Sequence, residues 1–239
     1  MVTQILTSSL KTLEVLAALA DEPRGVGASE LARRIGGNRG YVHRQLVTLC
    51  AGGWIEQAED GTYRLSLRVS RLSDAAFTQA GLGHRATAAL EELAAEVDET
   101  VSLAVLDGDS ARIVQRVEVD RLLRVDARIE ARMPISDTAS GRVLTAWALP
   151  HDLDALRDAG VPTATDEELE HIRRDGYALS LPNRLEPTVA VAAPVFDARR
   201  RALAALSVVG PMVRFDAEAA AASTLACAAR VTAIVSGRR

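Results

Sequence analysis

The chain of 239 residues has little cysteine and no pattern of metal-binding side chains. Its two cysteines, Cys50 and Cys227, lie far apart, each inside an apolar run of helical spacing. That excludes a disulfide framework and the Cys-x2-Cys spacings of zinc sites. The four histidines, His43, His84, His151 and His171, form no His-x3-His pair. No metal and no cofactor are expected. Lysine is almost missing: Lys11 stands alone and arginine supplies the remaining cations, which reads as codon bias. No signal peptide opens the chain, and no apolar run reaches the ~18 residues of a membrane span, so the expectation is a cytoplasmic protein with no membrane partner. Internal repeats and low-complexity tracts are absent as well. The length suits one large or two modest domains.

Signatures of catalysis are also missing. Ser140-Gly141 sits in no G-x-S-x-G elbow. His171 and Asp175 share a helix-like run in which surface charge is the commoner explanation. Neither common glycine-rich phosphate loop occurs. Function is argued from sites, and no catalytic residue or enzyme activity is expected.

An excess of positive charge is lacking too. The formal net charge is −4, which speaks against nucleic acid as a partner. The charge is unevenly spread, however. Residues 1–80 carry nine Arg or Lys against eight Asp or Glu, and the remainder nineteen against twenty-four. The early arginines cluster at Arg33, Arg34, Arg39 and Arg44, then at Arg64, Arg68 and Arg71. For phosphate contact, local clustering matters more than the total.

What is present begins with residues 27–50, GASELARRIGGNRGYVHRQLVTLC. Apolar residues recur at helical spacing on both sides of a turn: Leu31 and Ile35, then Val42, Leu46 and Leu49. Gly36-Gly37-Asn38 between them reads as a stop followed by an N-cap. The second helix opens with Arg39 and is expected to carry Tyr41, Arg44 and Gln45 away from its apolar stripe. That is the layout of a recognition helix in the major groove; a helical hairpin of an ordinary α domain remains the plainer reading. Residues 8–20 before it predict an amphipathic helix with Leu10, Leu13, Ala17 and Ala20 on the buried stripe and Ser8 or Ser9 as cap. After Gly52-Gly53, residues 54–57 and 62–65 flank Glu59-Asp60-Gly61, a hairpin signal. Three helices and a hairpin predict a winged helix-turn-helix, with Arg64 on the wing.

The residues Ser9-Leu10, Leu13, Val15-Leu16 and Leu19, then SELARRIGGNRGYVHRQLVTL, then Gly53-Trp54-Ile55 and Tyr63-Arg64-Leu65 resemble the IclR family of bacterial transcriptional regulators. One departure touches the base-reading surface: the family's common Pro-Lys-Ser-Thr is here Asn38-Arg39-Gly40-Tyr41. The resemblance implies DNA-binding roles for Arg39, Tyr41, Arg44, Gln45 and Arg64.

Residues 66–97 read as helix with a break at Gly81-Leu82-Gly83. Its second part, residues 84–97, places Ala86, Leu90, Leu93, Ala94 and Val97 on one face. Strands follow at 100–106 and 111–119 around Asp107-Gly108-Asp109-Ser110, and a third in LLRVDARI. A helix begins near Ser140, two more run at about 152–159 and 166–174, and strands return in YALSL, TVAVAAPVF and ALAALSVVG. An alanine-rich helix of about 217–235 closes the chain. Hairpins with grouped helices predict an antiparallel α+β domain. Boundaries are expected at 1–66 for the winged helix-turn-helix, 67–82 for a linker helix and 83–239 for the second domain.

RMPISDTASGR, DGYALS and AVAAPVFDARRRALAALSVVGP continue the IclR resemblance, which implies a GAF/profilin-like effector-binding domain. Thr138-Ala139-Ser140-Gly141 leads into a helix whose amides and dipole favour an anion. An ordinary capped helix, with Thr138 or Ser140 as the cap, explains the same residues. By resemblance the effector site comprises Leu122, Val125, Ala139, Ser140, Ser180, Ala190, Ser207 and Val209. Ser180, Ala190 and Val209 replace an aspartate, a cysteine and a serine of members that bind small keto acids, and Thr188 replaces a glycine. The expectation is therefore a regulator, repression being the commoner family role, with a palindromic double-stranded operator, a homodimer or homotetramer, and an aromatic or largely apolar small acid as effector. The alternative is a small-molecule sensor or enzyme whose helical N-terminus only dimerises.

Overall fold

A computed structural model describes residues 5–120, 132–180 and 187–237. The chain divides into two compact units, the first running to Phe77 and the second from Thr78.

The first unit contains α1 (Thr7–Ala20), α2 (Ala28–Arg34), α3 (Arg39–Ala51) and the hairpin β1 (Ile55–Gln57) and β2 (Tyr63–Leu65). Val15 and Leu19 of α1, Leu31 of α2, and Val42, Leu46 and Leu49 of α3 meet Ile55 and Tyr63 in one core. The Asn38 side chain caps α3 by accepting from the amides of Gly40 and Tyr41, which satisfies two of the helix's orphan donors. Val26 pairs with Tyr63, so the wing is stitched to the start of α2.

Helix α1 corrects the expected stripe. Leu10, Leu13 and Ala17 are exposed, and the inward face is Val15 and Leu19. The helix is apolar on two sides, so periodicity alone does not say which side faces the core. Its cap differs too: Leu6 occupies the position without a side-chain bond, and neither Ser8 nor Ser9 caps. Ile35, counted in the apolar pattern, lies at the surface as the C-cap of α2.

After a short 3-10 turn comes α4 (Ser70–Gln79), and the boundary between the two units falls inside it. The second unit continues with α5 (His84–Val97), β3 (Thr100–Asp107), β4 (Ser110–Val117), β5 (Arg132–Pro134), α6 (Ala139–Ala146), α7 (Pro150–Asp158), α8 (Asp166–Asp175), β6 (Ala178–Ser180), β7 (Thr188–Phe196), β8 (Ala202–Pro211) and α9 (Ala217–Val235). The strands form one antiparallel sheet in the order β5-β4-β3-β8-β7-β6. This is the expected α+β architecture. The expected third strand in LLRVDARI lies outside the described residues.

Side chains alternate across the sheet. Ala178, Ala192 and Ala205 face α6 and α8 in one core, together with Ile135, Val143, Leu144, Leu169 and Ile172. Val191 faces the other way, onto Ala220 and Ala221 of α9, and α5 lies against α9. By length and composition α9 is apolar enough to cross a membrane. The expectation of no such run overlooked it because Glu218 and Arg230 interrupt the apolar residues. Its Ala220, Ala221, Thr224, Cys227, Ala228 and Val231 are buried within the unit. Burial pushes the Cys227 thiol up from its ordinary pKa, which keeps it protonated and inert.

Two contacts place the sheet and α6. Glu99, buried just before β3, receives both Nε and a terminal nitrogen of Arg214, at 2.7 and 2.9 Å. Gly141 lets α6 approach the end of β5: a Cβ there would stand 2.4 Å from the Ile135 Cα and 2.8 Å from two backbone oxygens. Neighbouring backbone cannot yield as a side chain would. Gly141→Ala is expected to destabilise the second unit by about 1–3 kcal/mol. Urea unfolding followed by Trp147 fluorescence in a Trp54→Phe background checks it; an unchanged midpoint would show that the contact relaxes freely.

Candidate functional site

In the first unit the exposed face of α3 includes Arg39, Gly40, His43, Arg44 and Val47. A cleft of about 490 Å³ runs beside it, lined by Ala28, Ser29, Arg33, Arg39, His43 and Gln57. The arginines differ in what holds them. Arg33 and Arg34 pair with Glu30 on their own helix, and Arg34 also with Glu22. Arg68 donates to the Gly52 carbonyl at 2.6 Å and lies over the Trp54 ring. Arg64 lies across the wing from Glu56, 3.3 Å away. Arg39 and Arg44 have no ion pair among the described residues, and Arg44 rests 5.9 Å from the Tyr41 ring centroid. These two guanidinium groups are therefore free to meet an anion without first breaking a bond within the protein.

Two of the expected DNA-contacting side chains point elsewhere. Gln45 accepts a hydrogen bond from the Thr12 hydroxyl of α1. Tyr41 packs against the core cluster, its hydroxyl is buried without a partner, and the Lys11 ammonium lies 5.4 Å from its ring. Both half-buried side chains turn towards α1 because α1 crosses α3 on that side, which the pattern of α3 by itself does not reveal. His43 is instead exposed on this face. It stands one turn after Arg39, and the i, i+4 spacing from an exposed arginine was its only signal. At the wing tip, the Thr62 hydroxyl and amide hold the Asp60 carboxyl below the usual carboxylate range and fix the turn.

In the second unit Thr138 is the cap of α6, accepting from the Gly141 amide at 3.1 Å and donating to the Pro134 carbonyl at 2.7 Å. Ala139 and Ser140 are buried behind it. Ser180 donates to the Asp137 carbonyl at 3.1 Å, which ties β6 to the turn before α6. Pairing puts Ser180 opposite Ala190 and Ala190 opposite Val209. One step along, Ser207 stands opposite Ala192, which faces α6. Ala139, Ser140, Ser180, Ala190, Ser207 and Val209 thus belong to one side of the sheet and the helix start upon it. Leu122 and Val125 lie outside the described residues.

The strand register adds residues that motif reading missed. Thr100 is opposite Val209, and Ser102 is opposite both Ser207 and, on β4, Arg116. The Arg116 side chain is 2% exposed, with its Nε 3.5 Å from Glu118. In sequence these are ordinary strand residues some hundred positions from Ser207, and only pairing unites them.

A winged helix-turn-helix followed by an antiparallel-sheet domain is the build of a DNA-binding regulator with a separate sensing domain. The comparisons with known proteins agree. Residues 74–234 match the family model described as the bacterial transcriptional regulator IclR C-terminal domain, and residues 8–59 the IclR helix-turn-helix domain. The chain belongs to the IclR family of bacterial transcriptional regulators. It is 32% identical over 227 residues to the regulator KdgR of Escherichia coli, covering 89% of this chain and 85% of that one. It is 31% identical to the glycerol operon regulatory protein of Streptomyces coelicolor, covering 93% of each. Among solved structures, HmgR of Pseudomonas aeruginosa aligns with a TM-score of 0.74 at 30% identity over 95% of this chain and 98% of that one. An IclR homologue from Microbacterium hydrocarbonoxydans, crystallised with 4-hydroxybenzoate, shares the fold at TM-score 0.78 and 22% identity, over 95% and 98%. The protein is a helix-turn-helix transcriptional regulator with a C-terminal effector-binding domain.

Two variants separate the side chains of α3. Arg44→Ala is expected to weaken operator binding by about 1–3 kcal/mol in a mobility-shift titration at fixed salt, as for a lost base or phosphate contact. Unchanged affinity would remove Arg44 from the interface. Tyr41→Phe is expected to leave operator affinity alone and to hold or raise stability by up to about 1 kcal/mol, since it deletes a buried hydroxyl that has no partner. A large loss of operator affinity would return Tyr41 to the DNA surface.

Proposed function

We propose that this chain is a dimeric repressor whose α3 helices enter successive major grooves of a palindromic operator in the bacterial cytoplasm. A small carboxylic acid held at the start of α6 controls that binding. The observation that carries the DNA-binding part is the pair of uncommitted guanidinium groups, Arg39 and Arg44, on the exposed face of a capped recognition helix. His43 lies between them, and Arg64 stands on the wing. One such unit covers one half-site, and two related by symmetry supply the specificity that a genome requires.

The exposed stripe of α1 supports the dimer. Leu6, Leu10 and Leu13 lie on it with Ala17. A contiguous apolar face of this kind is unusual on a monomer. The residues from 67 to 82 are read as the linker between the DNA-binding and effector-binding domains. A second copy of the same helices is the proposed cover of the α1 stripe.

For the effector, the buried start of α6 offers backbone amides and the positive end of the helix dipole, which favour a carboxylate. Ala190 and Val209 beside it are small and apolar, so an aromatic or otherwise largely apolar body fits better than a two- or three-carbon acid. Each Å² of apolar ligand surface removed from water contributes about 25 cal/mol. The 4-hydroxybenzoate found with a protein of the same fold makes benzoates reasonable first probes.

Mobility-shift titration with DNA from upstream of the protein's own gene tests the operator reading. Binding should weaken steeply with salt, in proportion to the phosphates neutralised. Failure to bind, or binding indifferent to salt, would reject it. Leu10→Glu with Leu13→Glu should convert a dimer to a monomer in sedimentation at micromolar concentration. A wild-type monomer in the presence of DNA would overturn the assembly.

A further inference from the structure

The turn between β7 and β8 carries three consecutive arginines, Arg199, Arg200 and Arg201. It is braced from within. The Asp197 carboxylate accepts from the amides of Arg199 and Arg201, at 2.8 and 2.9 Å, and from the Arg201 guanidinium at 2.9 Å. The Arg200 amide donates to the Asp197 carbonyl at 3.0 Å. Arg200 is held at a φ of 61°, in the left-handed region that strains an L side chain and that glycine adopts freely. A strained residue that persists where a relaxed one would serve points to a use for its side chain. Arg199 and Arg200 are exposed, and neither has an ion pair among the described residues.

The turn lies at the end of the second unit where the chain enters it. Phe196, just before the turn, donates its amide to the Thr232 hydroxyl of α9 at 3.0 Å. Val235, three residues further along α9, packs against Gly81, where a Cβ would stand 2.9 Å from the Val235 Cα. Gly81 lies between α4 and α5. Arg85, in the first turn of α5, is exposed and likewise has no ion pair among the described residues. Nearby carboxylates are engaged. At the same end of the sheet, Asp107 and Asp109 pair with Arg112 and Arg132. Asp152, which lines a cleft with Arg201, lies 3.3 Å from His151. Arg85, Arg199 and Arg200 thus give this end uncompensated positive charge, although the chain as a whole carries a net charge of −4.

We propose that Arg199 and Arg200, with Arg85, bind the phosphate backbone of DNA flanking the sequence read by α3. Exposed guanidinium groups on a turn suit phosphates and read no base edges, so this contact adds affinity without sequence preference. Only α4, ten residues and about 15 Å long, separates this end from the first unit along the chain. DNA held by the first unit is therefore a polyanion kept at high local concentration beside the turn. This rests on the reading of α3 as the operator-binding helix.

The test uses the full-length protein and two fragments of DNA from upstream of its own gene. One is trimmed to the shortest length that still binds specifically, and the other keeps about 15 further base pairs, one and a half helical turns, on each side. Affinity is followed by fluorescence anisotropy across a salt series. The wild type is expected to bind the long fragment more tightly and with the steeper salt dependence. Arg199→Gln with Arg200→Gln should lower the slope of log K against log salt on the long fragment by about 1.8, at about 0.9 per phosphate released. The same variant should bind the short fragment as the wild type does, whereas Arg44→Ala should weaken both fragments alike. Arg200→Gly, which relaxes the backbone and removes one guanidinium, should lower the slope by about 0.9 and serves as the second variant should the double one fold poorly. If the long fragment binds no better than the short one, or its slope survives the substitutions, the arginine turn does not touch DNA and this inference falls while the operator reading stands. If the wild type binds neither fragment, the operator reading itself is overturned, and this inference with it.

Discussion

The approach of α6 to the end of β5, made possible by the missing side chain of Gly141, is the contact on which the second unit depends. It sets the first turn of α6 against Ile135 and Pro134 and so presses the helix onto the sheet. Thr138 then bonds at once to the Gly141 amide and the Pro134 carbonyl, and Ser180 holds the same turn from β6. The helix start is buried, with Ala139 1% and Ser140 4% exposed. A helix terminus at a surface is well served by solvent. One that is buried keeps its electrostatic pull, because the surroundings are less polarisable.

Much of this architecture is legible in the sequence, and the exceptions have physical causes. Long elements with one apolar face, such as α5, and continuously apolar strands bounded by polar residues, such as β7, emerge with nearly their observed limits. Asn38 and Asp60-Gly61 mark a helix start and a turn because their side-chain chemistry acts within a few residues. Helix α1 is where pattern reading goes astray. It carries leucines on both faces, and the choice between Leu13 and Leu19 is made by α3 and β2, not by α1. Tyr41 and Gln45 illustrate the same limit from the polar side. A phenol and an amide on the flank of a helix look like DNA contacts until the position of a neighbouring helix is known.

The proposed effector face of the second unit shows the limit more sharply. Ala139, Ser140, Ser180, Ala190, Ser207 and Val209 were reachable by resemblance, since they sit in or near recurring motifs. Thr100, Ser102 and Arg116 were not, because nothing local distinguishes a threonine or serine in a strand from any other β-forming residue. Their nearness to Ser207 and Val209 comes from strand pairing across about a hundred residues of chain and from burial in the sheet. Those are properties of the folded state alone.

The buried hydroxyl of Thr100, which has no hydrogen-bond partner, marks a place where the fold forgoes stability that apolar packing would have supplied. Ligand binding and stability form one equilibrium: an acid that binds the folded unit stabilises it by RT ln(1 + [L]/Kd). Stabilisation alone does not regulate. A ligand that bound every arrangement of the DNA-binding units equally would change nothing at the operator, however tightly it bound. With the effector at the start of α6, as proposed, control requires that this face differ between the DNA-competent and DNA-incompetent arrangements. Hydrogen-bonding groups suit that role better than apolar ones do. Hydrogen bonds are lost over a fraction of an ångström, whereas apolar contacts tolerate a small shift of one strand against another. A displacement of α6 relative to the sheet too small to open the core would thus still decide whether the bonds to a bound carboxylate are made.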